Sequence, residues 1–365
     1  MLYHSAFTTA HLGIDGENTK PQVKAVPADM EQGKRGADFG TFDYGYVLDT
    51  KVDDLNQAAA LAELRHLDDL GYRVAIVHHH SFEGATIPLV NHGVLKLLEE
   101  TEVQYLSFQN TARFKFLIVR DPRSFEFAED TVTTIKAEEL ALVPVGPGVH
   151  RQLQPALTGK SLASLSQVFG QKESDIRVLD DWAGLTPFGP RQPHSLKAEE
   201  KPVVGRGPAR STKNWPSKAT EIKSAYGKNE VFEVLLVDDF DNSSERIEKV
   251  LQQGAEFVPV ASYDFQDFTS KIDFWVDMGT PHSQRSVEVL SAIAAGLVVL
   301  MRPGSESLYG DAVLYVKPGA VQTVIKRMVD FPELYELQQD RGAQCLPRLW
   351  GPATFETHIE TLREK

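Results

Sequence analysis

A single cysteine, Cys345, stands in a chain of 365 residues, so no intrachain disulfide is available and no all-cysteine metal site can form. A reducing compartment suits such a chain. Cations are in deficit as well, with 38 Lys and Arg against 51 Asp and Glu. The formal net charge of −13 has the wrong sign for nonspecific attraction to nucleic acid or to an anionic membrane surface. No apolar run approaches the roughly 18 residues that a membrane span requires, and nothing near the N-terminus resembles a secretory h-region. The expectation is a cytoplasmic protein with no transmembrane segment and no nucleic-acid partner. A G-x-G-x-x-G turn after a first strand is also missing, which weighs against a nicotinamide-dependent dehydrogenase; Gly205-Arg206-Gly207 carries only the opening two glycines.

What is present reads as globular. Hydrophobic content of 42%, charged content of 24% and the chain's length suit two domains of ordinary size. Strand-like and helix-like periodicities alternate. Tyr46-Val47-Leu48 predicts a short strand, Leu55, Ala58, Ala59, Ala62, Leu67 and Leu70 a helix ending at Gly71, and residues 73–78 a strand. A helix over about 89–100, a helix or strand around 104–111, and apolar runs at 114–119 and 140–145 follow. A polar, proline-containing segment then runs to about Glu200 and reads as an interdomain connection. A second set of strands is expected at 202–205, 232–237, 256–260, 272–276, 297–301 and 313–316. Its helices are expected near 219–226, 245–253, 265–271, 283–295 and 320–331.

Residues 272–301 are the most informative stretch. An apolar strand is broken at Gly279-Thr280-Pro281-His282, a helix follows with Val287, Leu290, Ile293 and Ala294 inward, and Gly296 suits the left-handed position that ends it. Residues 297–301 then form an uninterrupted apolar strand. In an open parallel sheet, a loop leaving a strand for a helix lies at the carboxyl edge, and the helix start offers unpaired N–H groups to anions. Ser283, Arg285 and Ser286 are therefore candidate phosphate contacts, although most strand-loop-helix units of this type bind nothing. Between residues 201 and 228 the chain is locally basic, with seven Lys and Arg opposed by Glu221 alone. That patch is either a solvated face or an anion site.

Val203-Val204-Gly205-Arg206 with Asn214-Trp215-Pro216, residues 116–122, Ser307-Leu308-Tyr309-Gly310-Asp311-Ala312, the run Ser291-Ala292-Ile293-Ala294-Ala295-Gly296 and the terminal 355–362 together resemble the retaining, GT4-like glycosyltransferases, in particular an actinobacterial-type branch. The resemblance spans about residues 44–362. It implies an α/β GT-B fold, two Rossmann-like doubly wound domains facing across a cleft. The domains would be an N-terminal arm over 1–43, an acceptor-side domain over 44–195, a nucleotide-sugar-side domain over 196–345 and a C-terminal helix over 346–365 packing back on the first domain. It further implies transfer of a hexose from a nucleoside diphosphate sugar to an acceptor, with retention, no metal and no other cofactor. In that scheme Arg206 and Lys213 meet the donor diphosphate, because a departing diphosphate gains negative charge and needs fixed cations and helix-start amides.

Two departures from the family pattern stand out. Its paired carboxylates, spaced E-x7-E, fall on Ser283 and Ser291, and a serine presents neither the charge nor the two acceptor oxygens of a carboxylate. The loop over residues 48–54 lacks the glycines whose backbone would approach the phosphates, although Lys51 compensates in part. These losses keep a second reading open: a non-catalytic homologue that binds glycan or pairs with an active transferase subunit. On the acceptor side, His79, His80, Asn110 and Arg113 are substrate candidates, against the plainer reading of loop and turn residues. Neighbouring strand residues face opposite ways, so the three histidines at 78–80 make a poor metal site. Trp182, Trp215 and Trp275 suit core or hinge packing better than sugar stacking. The partners expected are a nucleotide sugar and a glycan or glycosylated acceptor; the sequence leaves open a homo-oligomer.

Overall fold

A computed structural model describes residues 38–50, 55–79, 90–120, 133–143, 154–179, 182, 184–187, 195–196, 200–208, 215–237, 244–251, 254–259, 263–282 and 285–364. The chain divides into two compact units, residues 1–144 with 158–179, and residues 145–157 with 180–365. Each unit is built on a six-stranded parallel sheet.

In the first unit the strands are β1 (Asp38–Leu48), β2 (Val74–His78), β3 (Gln104–Ser107), β4 (Thr111–Val119), β5 (Ile135–Leu142) and β6 (Arg177–Val178). Their order in the sheet is β3-β2-β1-β4-β5-β6, and the helices are α1 (Leu55–Asp69), α2 (His92–Glu100) and α3 (Gln154–Phe169). The central strands are buried on both faces, which is why Tyr44, Tyr46, Val47 and Leu48 are all enclosed. Gly71, at φ +81°, ends α1 as its position after the last periodic residue predicts. Asn91 caps α2, its Oδ1 accepting the Val94 amide at 2.9 Å.

Two expectations are corrected here, and the choice between helix and strand around 104–111 is decided for a strand. The first strand begins at Asp38, well before the expected Tyr46-Val47-Leu48 and the expected domain start at 44, because Arg73 donates to the carbonyls of Thr41 and Phe39 at 2.9 and 2.7 Å and covers the Phe42 ring. The residue that holds this segment, just before β2, lies far off in sequence. The region around 104–111 is β3 followed by a turn into β4. The polar segment read as an interdomain connection contains α3 and the edge strand β6, with Leu165, Val168 and Ile176 buried in the first core. Its apolar residues recur at helical spacing, but the polar residues between them mask the stripe.

The second unit comprises β7 (Val203–Arg206), β8 (Glu233–Val237), β9 (Glu256–Val258), β10 (Phe274–Asp277), β11 (Val298–Met301) and β12 (Leu314–Tyr315), ordered β12-β11-β10-β7-β8-β9. The helices are α4 (Ala219–Tyr226), α5 (Ser244–Leu251), α6 (Phe265–Ser270), α7 (Val287–Ala294), the single turn α8 (Glu306–Tyr309), α9 (Val321–Asp330), α10 (Pro332–Trp350) and α11 (Pro352–Arg363). Gly296 takes φ +81° after α7, as expected. Helix α10 has no counterpart in the sequence reading. Its inward face carries Tyr335, Gln338, Gln339 and Gly342, which dock by hydrogen bonds to the carbonyls of Asp273, Asp311 and Gly296 as well as by packing, so no apolar stripe announces it. No helix among the described residues is long and apolar enough to cross a membrane.

Two glycines let β7 sit deep in this sheet. A Cβ on Gly205 would lie 2.5 Å from Ile272 Cδ1, and one on Gly207 would lie 2.6 Å from the Trp275 ring. Gly205→Ala should therefore cost about 1–3 kcal/mol by overpacking. Urea unfolding is the measurement, and the loss should shrink when Ile272→Ala is added, since that change removes the clashing atoms; equal losses in the two backgrounds would show that the cost arises elsewhere.

Candidate functional site

In the second sheet the chain order reverses between β7 and β10, and loops leaving two such strands diverge and open a crevice at the carboxyl ends. These two strands end on Arg206 and Asp277. Arg206 is only 5% exposed: its guanidinium lies 4.0 Å over the Trp215 ring, and Nη2 stands 3.6 Å from Asp277 Oδ1. That separation makes a charge pair of limited directionality. Trp215 in turn meets the edge of Tyr226, whose hydroxyl donates to the Val276 carbonyl at 2.9 Å and accepts the Met278 amide at 3.1 Å. Tyr226 thus clamps the backbone on both sides of Asp277. Burial pushes its phenol up to about 12, with the Asp277 charge adding to the rise and Arg206 opposing it, so the clamp stays protonated.

Asp277 gathers the loop that follows. Oδ1 accepts the Gly279 amide at 3.1 Å, and Oδ2 lies 3.0 Å from His282 Nε2. Burial alone would raise the carboxyl, but the Arg206 charge, the His282 hydrogen bond and the Gly279 amide together hold it well below the ordinary value. His282 is fixed from three sides. Its amide donates to the buried Ser305 Oγ at 2.8 Å, and its Nδ1 lies 3.0 Å from the Tyr309 hydroxyl. The Tyr309 oxygen also accepts the Ser286 amide at 2.6 Å, and burial keeps this phenol protonated. One assignment satisfies every group: Tyr309 O–H donates to Nδ1, and the imidazole proton on Nε2 donates to Asp277. A chain of hydrogen bonds then runs from the start of α7 through Tyr309 and His282 to the carboxylate.

The start of α7 is partly occupied by the protein itself. Ser286 is the N-cap, its hydroxyl oxygen meeting the Val289 amide at 3.5 Å while donating to Glu288 Oε2 at 2.6 Å. With the Ser286 amide engaged by Tyr309, Val287 and Glu288 carry leading amides that have no intrahelical acceptor. The Glu288 carboxylate shares that end of the helix and already complements its dipole.

The expected donor residues are distributed unevenly. Ser286 and Arg206 belong to this cluster; Arg285 is turned to the Leu308 carbonyl, 3.2 Å from its Nε. Ser291 is wholly buried within α7. Ser283, Lys213 and His80 lie outside the described residues. In the first unit, His79 is 6% exposed, with its amide on the Leu48 carbonyl and its ring edge-on to Phe108 at 4.6 Å. Asn110 builds the turn before β4, its Oδ1 accepting both the amide and the hydroxyl of Ser107. Arg113 is exposed at the amino end of β4, opposite the end where strands meet ligand loops. At the carboxyl ends of that sheet it is His78 that joins a polar cluster, with Thr50 Oγ1 2.8 Å from its Nδ1 and 3.3 Å from the Tyr105 hydroxyl.

Sequence reading did not single out Asp277, His282, Tyr309, Ser305 or Tyr226. One signal was on view: an acid closing an apolar strand at the carboxyl edge, as Asp277 does after Phe274-Trp275-Val276, is an expensive residue that needs partners.

No family model matches this chain, and no curated protein does. Solved structures match it in fold. HepE from Anabaena, solved with UDP-glucose, is 10% identical with a TM-score of 0.57, over 89% of this chain and 100% of that one. The same protein with UDP and glucose gives 9% and 0.56 over the same shares. A glycosyltransferase from Rickettsia africae gives 10% and 0.51, over 89% of this chain and 98% of that one. The two parallel sheets and their helices are those of the GT-B glycosyltransferase fold.

The hydrogen-bonded chain makes two predictions. Tyr309→Phe leaves the Ser286 amide and His282 Nδ1 without a partner inside the protein and should cost about 1–3 kcal/mol in chemical unfolding; an unchanged midpoint would mean that the phenol carries no such load. Asp277 has a folded pKa below its unfolded value of 3.8, so its contribution is complete above that value and is lost as pH falls below it. Replacing it by Asn should lower stability at neutral pH and flatten the acid limb of the stability curve below pH ~4.

Proposed function

We propose that this chain is a GT-B glycosyltransferase that moves a hexose from a nucleoside diphosphate sugar to a glycan or glycosylated acceptor. The carrying observation is the Arg206–Asp277 pair at the reversal point of the second sheet, in a chain whose fold follows, over 89% of its length, a structure that holds UDP-glucose. Ligands of open parallel sheets sit at that point. Arg206, fixed by Trp215 and Asp277, supplies a preorganised cation for the departing diphosphate, and the Val287 and Glu288 amides supply donors beside it. Lys213 and Ser283, which lie outside the described residues, keep the donor-contact roles that the sequence resemblance implies for them. Ser291, with no exposed surface, is assigned to packing. Retention, independence of metal and a cytoplasmic setting rest on the sequence resemblance and composition.

A second reading, a non-catalytic homologue that binds glycan or an active subunit, draws on one specific observation. Glu288 already places a carboxylate at the helix start where donor phosphates would bind, while positions 283 and 291 carry none.

Calorimetric titration with UDP-, GDP- and ADP-glucose, followed by product analysis, separates the two. At least one should bind below millimolar concentration, and Glu288→Gln should tighten it about threefold by removing a charge of the same sign from the helix end. Absence of binding by all three would leave the non-catalytic reading. Binding that is indifferent to Glu288 would place the phosphates away from α7.

A further inference from the structure

The second unit also carries an open cavity of about 630 Å³, lined by none of the groups assigned to the crevice. It lies where α4, the segment after β11 and the segment leading into α9 come together. Ligand cavities commonly measure about 300–1,000 Å³, so this one has room for a small metabolite and more than a bare phosphate needs.

Its charges are not balanced. Arg302 Nη2 stands 2.9 Å from Glu221 Oε2, both side chains less than one-third exposed, and this pair cancels internally while leaving other guanidinium N–H groups to donate. Lys317 adds a further cation, and it is exposed. The lining is therefore positive in a chain whose net charge is −13. Thr220 adds a hydroxyl; the Ser224 hydroxyl donates to the Thr220 carbonyl at 2.8 Å and keeps its lone pairs. Gly319 follows Pro318 in the opening turn before α9, where its amide has no intrahelical acceptor and its missing side chain permits close approach. The prolines at 303 and 318 give an apolar wall. A lining that combines cations, a hydroxyl and an amide with the apolar rings of two prolines suits a ligand with an anionic end and a carbon body.

We propose that this cavity binds a small phosphate monoester. Three phosphate oxygens match the donors that Lys317, Arg302, Thr220 and Gly319 offer, and the body of the ligand lies on the prolines. The site is separate from the crevice and does not depend on the glycosyltransferase reading, because a chain that ignored every nucleotide sugar would still bind here.

The test is calorimetric titration of the full chain with inorganic phosphate, glycerol 3-phosphate and glycerol. Glycerol 3-phosphate should bind at one site, phosphate more weakly and glycerol not at all. Lys317→Ala should weaken glycerol 3-phosphate about tenfold, the size of one lost charge-assisted contact. Because Lys317 is exposed, the same variant should keep its thermal midpoint in the absence of ligand. Three results would each overturn the proposal: no phosphate compound binding at millimolar concentration, glycerol binding as well as its phosphate, or an unchanged affinity in Lys317→Ala. Loss of glycerol 3-phosphate binding under saturating UDP-glucose would overturn its separateness by placing the ligand in the crevice.

Discussion

A buried carboxylate organises the second unit. Asp277 closes the strand beside the reversal point of the sheet, and an ionised carboxyl there is costly unless it is paired and hydrogen-bonded. Arg206 supplies the charge, His282 and Gly279 supply hydrogen bonds, and Tyr226 pins the backbone on either side. Each partner then carries a structural consequence. Arg206 ties the end of β7 to β10 and lies on Trp215; His282 fixes the loop into α7; Tyr226 fastens α4 to the sheet. Removing one member of such a group leaves another charge or donor stranded, which is why networks of this kind are held as a unit.

The same network bears on chemistry. A crevice that is to hold a diphosphate needs net positive character, yet the Arg206 charge is balanced by Asp277 and the start of α7 is balanced by Glu288. What remains is a set of fixed dipoles: the leading amides of α7, with the hydrogen-bonded chain behind them. Preorganised dipoles act without reorganisation when charge develops, so a balanced site of this kind can still favour a leaving group over its bound precursor. The cavity beside α4 and α9 has the opposite character, a net positive lining with no carboxylate to spare. Two clefts of different charge design thus occur in one unit of an acidic protein.

Much of the fold was legible because parallel sheets bury whole strands. Residues 298–301 and 74–77 are continuous apolar runs, and Gly71 and Gly296 stand where a left-handed residue must end a helix. Legibility failed where packing uses polar groups. Helix α10 docks through Gln338, Gln339 and Tyr335, whose hydrogen bonds carry no periodic signature, and the first residues of β1 are ordered by Arg73, which precedes β2. Of the candidate site, the sequence located Arg206 and the α7 start, since a strand end before a loop and a serine before an apolar run are local features. Asn110 read more plainly as a turn residue than as a substrate contact, and its hydrogen bonds to Ser107 assign it to the turn.

The sequence by itself determined the alternation of strands and helices, the two-sheet architecture and the absence of carboxylates at positions 283 and 291, because those follow from residue type and local spacing. The tertiary structure alone decided which distant residues meet. Nothing local couples Tyr309 to His282 and Ser286, or Trp215 to Arg206, across stretches of chain whose approach is set by strand order and helix packing. Charge balance is likewise a property of neighbours in space, so whether Arg206 faces the crevice bare or neutralised depended on Asp277 ending the adjacent strand.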